Sequence, residues 1–536
     1  CSALAAINIP ENVTTIGNSA FSGCSALAAI NIPENVTTIG NSAFSGCSAL
    51  AAINIPENVT TIGKNAFSGC KLISSIALPK SLTTIGAKAF YGCESITSIV
   101  IPENTESIGE SAFENCISLT SLDWNAKNCR TGGILFNGAS ISAFAIGDSV
   151  ESIPEYLCAG FHISSLTIPE NIKKIAYYAF VYCKSLTSVV WNAKDCELLD
   201  QVTFQDSPIS SIILGESVEH VPAYLCYNMD KLTTITIPEN VISVGQKAFT
   251  TCSALTSVIW NAKQCTDFRE QPFPLTLTSF TIGDSVQHIP AYLCYKQSNL
   301  TSFSLPKSVK SIGSSAFFGC TSLNSIHGNL DSIGDYAFYD CTSLNSIKGE
   351  VTYIGNYAFY GCTSLSSISL AEALTFIGNE AFTNCSSLDT IVWNVKSFAT
   401  DGWNLPFKNI CTQIKSFTFG DSVEEIPYHI CYGMSSLATV SLGESITSIA
   451  DEAFYGCSSL TTIELPNHLT TIGKGVFNGC SSLTSIEIPS GFTSIGDGAF
   501  SDCSNLTTVF FGENSQLTSI GNSAFYDCNL QSIEIP

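Results

Sequence analysis

Residues 1–23 read CSALAAINIPENVTTIGNSAFSG, and residues 24–46 repeat them letter for letter. The block recurs in altered form as far as Gln531–Pro536. A unit this short cannot bury its own apolar face, so it must stack on copies of itself. Aligned on L-x-x-I-x-I, strand-like starts run from Leu4, Leu27 and Leu50 to Leu483, Leu506 and Leu530, giving 24 units with steps of 21 to 26 residues. No gap is long enough to hold a separate domain, so residues 1–536 read as a single continuous solenoid of about 24 coils.

Within the first unit Leu4, Ile7 and Ile9 take inward positions while Ala6 and Asn8 alternate outward, as a short strand requires. Pro10 lacks a backbone donor and ends the ladder. Val13 and Ile16 form a second inward pair, and Gly17 reads as the positive-φ residue of a tight corner. Asn18–Phe21 is expected to make one helical turn that drops Phe21 into the core, with Cys24 closing the coil where a small side chain fits. The fold class expected is an α/β repeat solenoid in which a parallel sheet is backed by short second strands, turns and single helical turns.

The units are not all alike. Trp-Asn at Trp124, Trp191, Trp260 and Trp393 is followed in the next unit by Gly-Asp/Glu-Ser-Val, beginning at Gly147, Gly215, Gly283 and Gly420. Three unlike units therefore make a longer repeat of about 68 residues. Regular repeats occupy 1–118, three copies of the triple repeat 119–319, shortened repeats 320–387, a fourth triple repeat 388–456, and regular repeats 457–536. In the shortened stretch Leu323–Asn329 and Leu344–Glu350 replace the last inward residue and the proline by Gly-Asn and Gly-Glu, and altered curvature is expected there.

The full pattern L-x-x-I-x-I-P-x-x-V-x-x-I-G-x-x-A-F-x-x-C, seen at Leu460–Cys480 and Leu483–Cys503, resembles the BspA-like leucine-rich repeat, also called the Treponema pallidum type. The resemblance covers essentially the whole chain. It implies a right-handed superhelix with the parallel sheet on the concave face, an extracellular or cell-surface location, and adhesion to host proteins or neighbouring cells.

Composition narrows the partners. A net charge of −23, from 22 basic against 45 acidic residues, opposes binding to nucleic acid and to anionic membranes. No run of 18 apolar residues is present to insert into a bilayer, and no signal peptide is visible. The 24 cysteines fall mostly one per unit. Stacked neighbours about 4.8 Å apart point the same way, whereas bonded pairs need converging Cβ atoms near 3.8 Å, so a ladder of free buried thiols is expected. The partners of Cys129, Cys196 and Cys265 are not assignable from spacing.

No motif for catalysis emerges. The six histidines are scattered, and neither H-E-x-x-H, C-x-x-C, G-x-S-x-G, a phosphate-binding glycine loop nor a calcium loop occurs. No enzymatic activity, metal or cofactor is expected.

Three residue sets are candidates for binding. Near the C-terminus the fifth strand position becomes Glu464, Glu487, Phe510 and Glu534, an acidic stripe with one aromatic. Lys127, Lys194, Lys263 and Lys396 follow the Trp-Asn pairs at a fixed offset, either as a binding row or as a solvated edge. Trp124, Trp191, Trp260 and Trp393 are either core or an exposed sugar-stacking row. The asparagines of Asn35-Val36-Thr37, Asn58-Val59-Thr60 and similar triplets match the glycan-acceptor pattern. The leading functional expectation is a surface or secreted module that binds a protein partner through its sheet. Alternatives are a polysaccharide-binding module and, given the near-identity of the first three units, a passive stalk.

Overall fold

The structure, a computed structural model, describes residues 1–198, 202–301, 303–327, 330–348, 350–398 and 405–534. Gly328–Asn329 and Gly349, singled out above in the shortened repeats, lie outside the described residues, as does Pro536. The chain divides into two units, Cys1–Cys265 with Pro272–Pro274, and Thr266–Gln271 with Leu275–Pro536. Both are parallel-sheet solenoids of the same coil.

Within each unit neighbouring coils are bound to one another at up to three places. The first is the sheet of longer strands, in which Ser98–Ile101, Ser121–Trp124 and Ala143–Ile146 pair in parallel with Ile101 opposite Trp124 and Trp124 opposite Ile146. Inward and outward residues alternate, so Ile99 and Ile101 are buried and Val100 is exposed. The second is a ladder of two-residue strands, where Thr15–Ile16, Thr38–Ile39, Thr61–Ile62 and Thr84–Ile85 pair in register. The third runs through the segment expected to be a helical turn. It is a run of overlapping turns, with Ser22 N–H donating to the Ser19 carbonyl and Cys24 N–H to the Phe21 carbonyl, each at 3.1 Å. Alternate donors reach the neighbouring coil: Ser19 N to Asn41 O at 2.8 Å, Phe21 N to Ala43 O at 2.7 Å and Gly23 N to Ser45 O at 2.7 Å. A helix would turn these N–H groups along its own axis; the turns aim them at the next coil. Among the described residues the one helical element is the 3₁₀ segment Lys408–Gln413.

The corner glycine has a different reason from the one expected. Gly17 does not take positive φ; Ser19 at φ 54° and Gly23 at φ 72° do. What excludes a side chain at the corner is close approach. A Cβ at Gly40 would lie 2.7 Å from Asn18 N, and one at Gly63 would lie 2.6 Å from Asn41 N.

Inside, Leu27, Ile30 and Ile32 are buried together with Val36, Ile39 and Phe44. The core phenylalanines form stacked runs: Phe44–Phe67, Phe67–Phe90 and Phe90–Phe113 have centroids 5.3, 5.4 and 5.2 Å apart with interplanar angles of 4–8°. Phe136 meets Phe161 edge-on, at 5.9 Å and 74°. The break arises because the following coil exchanges its core residues. In Leu157-Cys158-Ala159-Gly160-Phe161 the cysteine occupies the phenylalanine position, since Cys158 N donates to Ala179 O at 2.9 Å as Phe44 N donates to Ala66 O at 2.7 Å. Phe161 then takes the cysteine position, and Leu157 replaces the usual alanine. The same exchange recurs at Leu225-Cys226 with Met229 and at Ile430-Cys431 with Met434, all buried. One large and one small residue change places, and the coil stays filled.

Phe317 is fully buried and stacks on Phe338 at 5.4 Å. Its replacement by alanine is expected to cost about 3–5 kcal/mol, expressed as partial unfolding of adjoining coils. A shift below about 1 kcal/mol in denaturant melting would contradict this packing.

Candidate functional site

Trp124, Trp191, Trp260 and Trp393 lie at the inward end of their strands and are fully buried. Trp191 sits between Ile168 and Leu214 in sheet register, and Trp393 between Leu370 and Phe419. The rings are core, so the exposed stacking row that a sugar would need is not formed by them. The asparagine that follows explains the coupling of the two motifs. A Cβ at Gly147 would lie 2.2 Å from Asn125 Oδ1, and one at Gly215 or Gly420 would lie 2.1 or 2.0 Å from Asn192 or Asn394 Oδ1. Ser217 and Ser422 hydroxyls donate to the Asn192 and Asn394 carbonyls at 2.7 Å. Trp-Asn in one coil thus selects Gly-x-Ser in the next.

The lysine row is placed on the surface and paired. Lys127 meets Glu151 at 3.2 Å, Lys194 meets Glu219 at 2.9 Å and Lys396 meets Glu424 at 3.3 Å, each acid following the Gly-Asp/Glu-Ser-Val segment. Where Gln287 stands in that position, Lys263 turns to Glu239 of the preceding coil at 2.6 Å. Hydrogen bonding to Lys127, then to Asn128, holds the Glu151 carboxyl below its ordinary range, and Glu219 likewise raises Lys194. These are exposed pairs of small energetic weight.

The acidic stripe is assembled on one face. Glu487 and Phe510 are opposite one another in adjacent strands, and Glu534 follows Ile533, the partner of Val509. All are exposed, Phe510 by 56%. Glu464 lies one coil earlier in Thr461–Leu465, which does not pair as a strand. There the coils part into a shallow cleft lined by Thr439, Ser441, Glu444, Thr462, Glu464 and Asn467.

Two of the acceptor-pattern asparagines, Asn35 and Asn58, tie neighbouring coils together. Asn35 Nδ2 donates to Glu11 O and Asn58 Nδ2 to Glu34 O, each at 2.8 Å, as Asn104, Asn171 and Asn240 do in other coils at the same distance.

Nearest to a catalytic geometry are Ser311, His288 and Asp267 in successive coils. Ser311 Oγ lies 2.7 Å from His288 Nδ1, and Asp267 Oδ1 3.2 Å from His288 Nε2. A nucleophile also needs donors for an oxyanion. Here Ser311 N–H and Gly313 N–H are engaged with Gln287 and Ile289 carbonyls of the preceding coil. His220 makes the same 2.7 Å contact with Ser243, again across paired strands, which marks it as a feature of the triple repeat. Among the described residues no cluster of three or more His, Cys, Asp or Glu could hold a metal, and no helix is long and apolar enough to cross a membrane.

Each of the 24 cysteines carries a free thiol, and most are buried. The thiols have a use that spacing did not disclose. Cys47 Sγ donates to the Phe21 carbonyl at 3.1 Å, Cys70 to Phe44 at 3.1 Å and Cys93 to Phe67 at 3.2 Å. In the triple repeats Cys183 and Cys252 bond the carbonyls of Cys158 and Cys226. At one coil Ser207 Oγ makes the same bond to Phe180 O at 3.2 Å. The second set differs, since Cys129 and Cys196 lie against the carbonyls of the next residues, at 3.5 and 3.8 Å.

The pattern of the BspA type leucine-rich repeat region matches the chain in overlapping stretches from 1–120 to 424–536, and the chain belongs to that family. Similar solved structures include a leucine-rich repeat protein of Bacteroides ovatus, 25% identical over 96% of this chain and 92% of that one, with a TM-score of 0.27. The T. pallidum leucine-rich repeat protein is 21% identical over 47% of this chain and 78% of its own, with a TM-score of 0.24. A leucine-rich cell surface protein of Faecalibacterium prausnitzii is 19% identical over 95% and 87%, with a TM-score of 0.17. No curated protein matches the chain.

Burial raises the ladder thiols, Cys70 and Cys116 to about 12 and Cys47 to about 11, against an ordinary 9.0. The unfolded chain therefore loses these protons first as pH rises. Stability supplied by the ladder is complete below pH 9 and declines through about pH 12. At neutral pH a thiol reagent should label few cysteines in the native protein and nearly all 24 once it is unfolded. Rapid native labelling, or recovery of most cysteines as oxidised pairs, would contradict the ladder.

Proposed function

We propose that this chain is a cell-surface or secreted adhesion module, non-enzymatic, that recognises a host or neighbouring-cell protein through the outward residues of its longer-strand sheet. We take residues 1–536 as a single continuous solenoid with the internal boundaries given above. The observation that carries the reading is the in-register acidic stripe. Glu487, Phe510 and Glu534 stand on successive strands beside the cleft that holds Glu464. A pre-formed sheet binds without the entropy cost of ordering a loop, and negative charges on it select a basic partner surface and speed encounter. Leucine-rich repeat proteins generally bind proteins, which supports the assignment without identifying the partner.

A stalk role is favoured for the first coils alone, where the outward Ala29, Asn31, Ala52 and Asn54 repeat without variation. The lysine row is retained as a secondary candidate edge, held by its acidic neighbours in the unbound chain.

The triple variant Glu464→Gln, Glu487→Gln and Glu534→Gln leaves shape and core in place while removing three negative charges. Against an array of purified matrix proteins, the partner found with the native chain should bind the variant more weakly and with less dependence on salt. Unchanged affinity and salt response would move the site off this stripe, and an array with no protein bound by the native chain would favour the stalk.

A further inference from the structure

On the turn face of the second unit two positions of the coil become aromatic over consecutive coils. They are the residue two before the core phenylalanine and the residue one after it. In the first coils they hold Ser19 and Ser22, then Ser42 and Ser45, so the fold does not require rings there. From Tyr295 onward the later position forms one row, with Tyr295–Phe318, Phe318–Tyr339 and Tyr339–Tyr360 stacked at 4.9, 4.7 and 4.6 Å. The earlier position forms a second, with Tyr336–Tyr357 at 4.9 Å. The rows lean together, Tyr336 on Tyr339 at 39° and Tyr357 on Tyr360 at 52°. None of these rings is fully buried, and Tyr336 is 38% exposed.

Because the rings face each other, they offer solvent their edges in a strip corrugated at the coil rise, with every ring but Phe318 carrying a hydroxyl and the Tyr339 and Tyr360 phenols bonded to one another. An occupant must match that period. A polyproline II helix advances about 3.1 Å per residue and about 9.3 Å per three-residue turn. Two ring steps, of 4.7 and 4.6 Å from Phe318 to Tyr360, have that length. A β-strand presents one side every ~6.8 Å and falls out of step. The polyproline II backbone makes no internal hydrogen bonds, so its carbonyls are free to accept from phenolic hydroxyls. Charge adds a direction. Asp340 is exposed beside Tyr339 and Glu380 is exposed in the coil after Tyr360, while Lys296 lies 5.2 Å over the Tyr295 ring at the N-terminal end. Glu380 acts on this surface already, being the main cause that raises the Tyr357 phenol.

We propose that this strip binds a proline-rich, basic segment of a partner protein in the polyproline II conformation, with one residue per turn seated at every second ring step and a lysine or arginine reaching Asp340 and Glu380. The strip is on a different face from the acidic stripe and does not depend on it.

The test is fluorescence anisotropy of the whole chain with a labelled peptide of Pro-Pro-Arg repeats, against an equally charged peptide of Gly-Ser-Arg repeats. The proline peptide should bind at least roughly tenfold more tightly. The variant Tyr339→Ser with Tyr360→Ser, which installs the residue of the first coils, should weaken binding at least roughly tenfold. Asp340→Asn with Glu380→Gln should weaken it several-fold and flatten its salt dependence, while Glu34→Gln leaves it unchanged. If circular dichroism shows the serine variant unfolded, the charge variant and the peptide comparison decide. Equal binding of the two peptides, or native affinity in the folded serine variant, overturns the proposal. So does capture of a soluble glucan oligosaccharide with no peptide bound.

Discussion

The hydrogen bonds between coils are the constraint on which the rest of this molecule depends. A coil of about 23 residues has too little interior to hold itself, so its main-chain donors must be satisfied by the coils before and after it. Gly40 N reaches Ile16 O at 2.8 Å on one side, while Phe21 N reaches Ala43 O at 2.7 Å on the other. Both bonds require close approach, which is why a side chain is excluded at Gly40 and Gly63. The thiol of Cys47 adds a bond to the Phe21 carbonyl, and apolar burial then holds the assembly together.

That constraint explains what can vary. Inward positions tolerate exchange provided that the volume is kept, as when Cys158 and Phe161 trade places or Trp191 pairs with Leu214. Some inward changes require a partner in the next coil, which is how Asn192 selects Gly215. Outward positions answer to neither rule. Ser22, Phe318 and Tyr360 occupy one backbone position, and Asn54, Val100 and Glu487 occupy another. Recognition is written on such positions because the coil is indifferent to them.

Period and strand register were legible in the sequence, because L-x-x-I-x-I records inward positions directly. The exposed placement of Glu487 and Phe510 followed from the same alternation, and the freedom of the cysteines from the parallel stacking of one cysteine per coil. Other features were hidden for physical reasons. A repeated glycine shows that a side chain is forbidden but not whether dihedral angle or crowding forbids it, so Gly17 was assigned a positive φ that Ser19 and Gly23 hold instead. The exchange at Cys158 was masked because L-C-x-x-F carries the same residue types as A-F-x-x-C within a few positions. The tyrosine rows were masked by the 21-residue spacing that separates Tyr336 from Tyr357 and Tyr339 from Tyr360, where only stacking reveals contiguity.

The turn segment, though it has no regular secondary structure, is held between coils as firmly as the strands are. Phe338 N donates to Ala358 O and Phe359 N to Ala381 O at 2.8 Å, the same length as the Gly334 N to Ile312 O and Gly355 N to Ile333 O bonds of the short-strand ladder. Native-state amide hydrogen exchange reads this directly. Slow exchange at Phe338 and Phe359, equal to that at Gly334 and Gly355, is the predicted result. Exchange there at the rate of an open surface turn, with the glycine amides still protected, would contradict it.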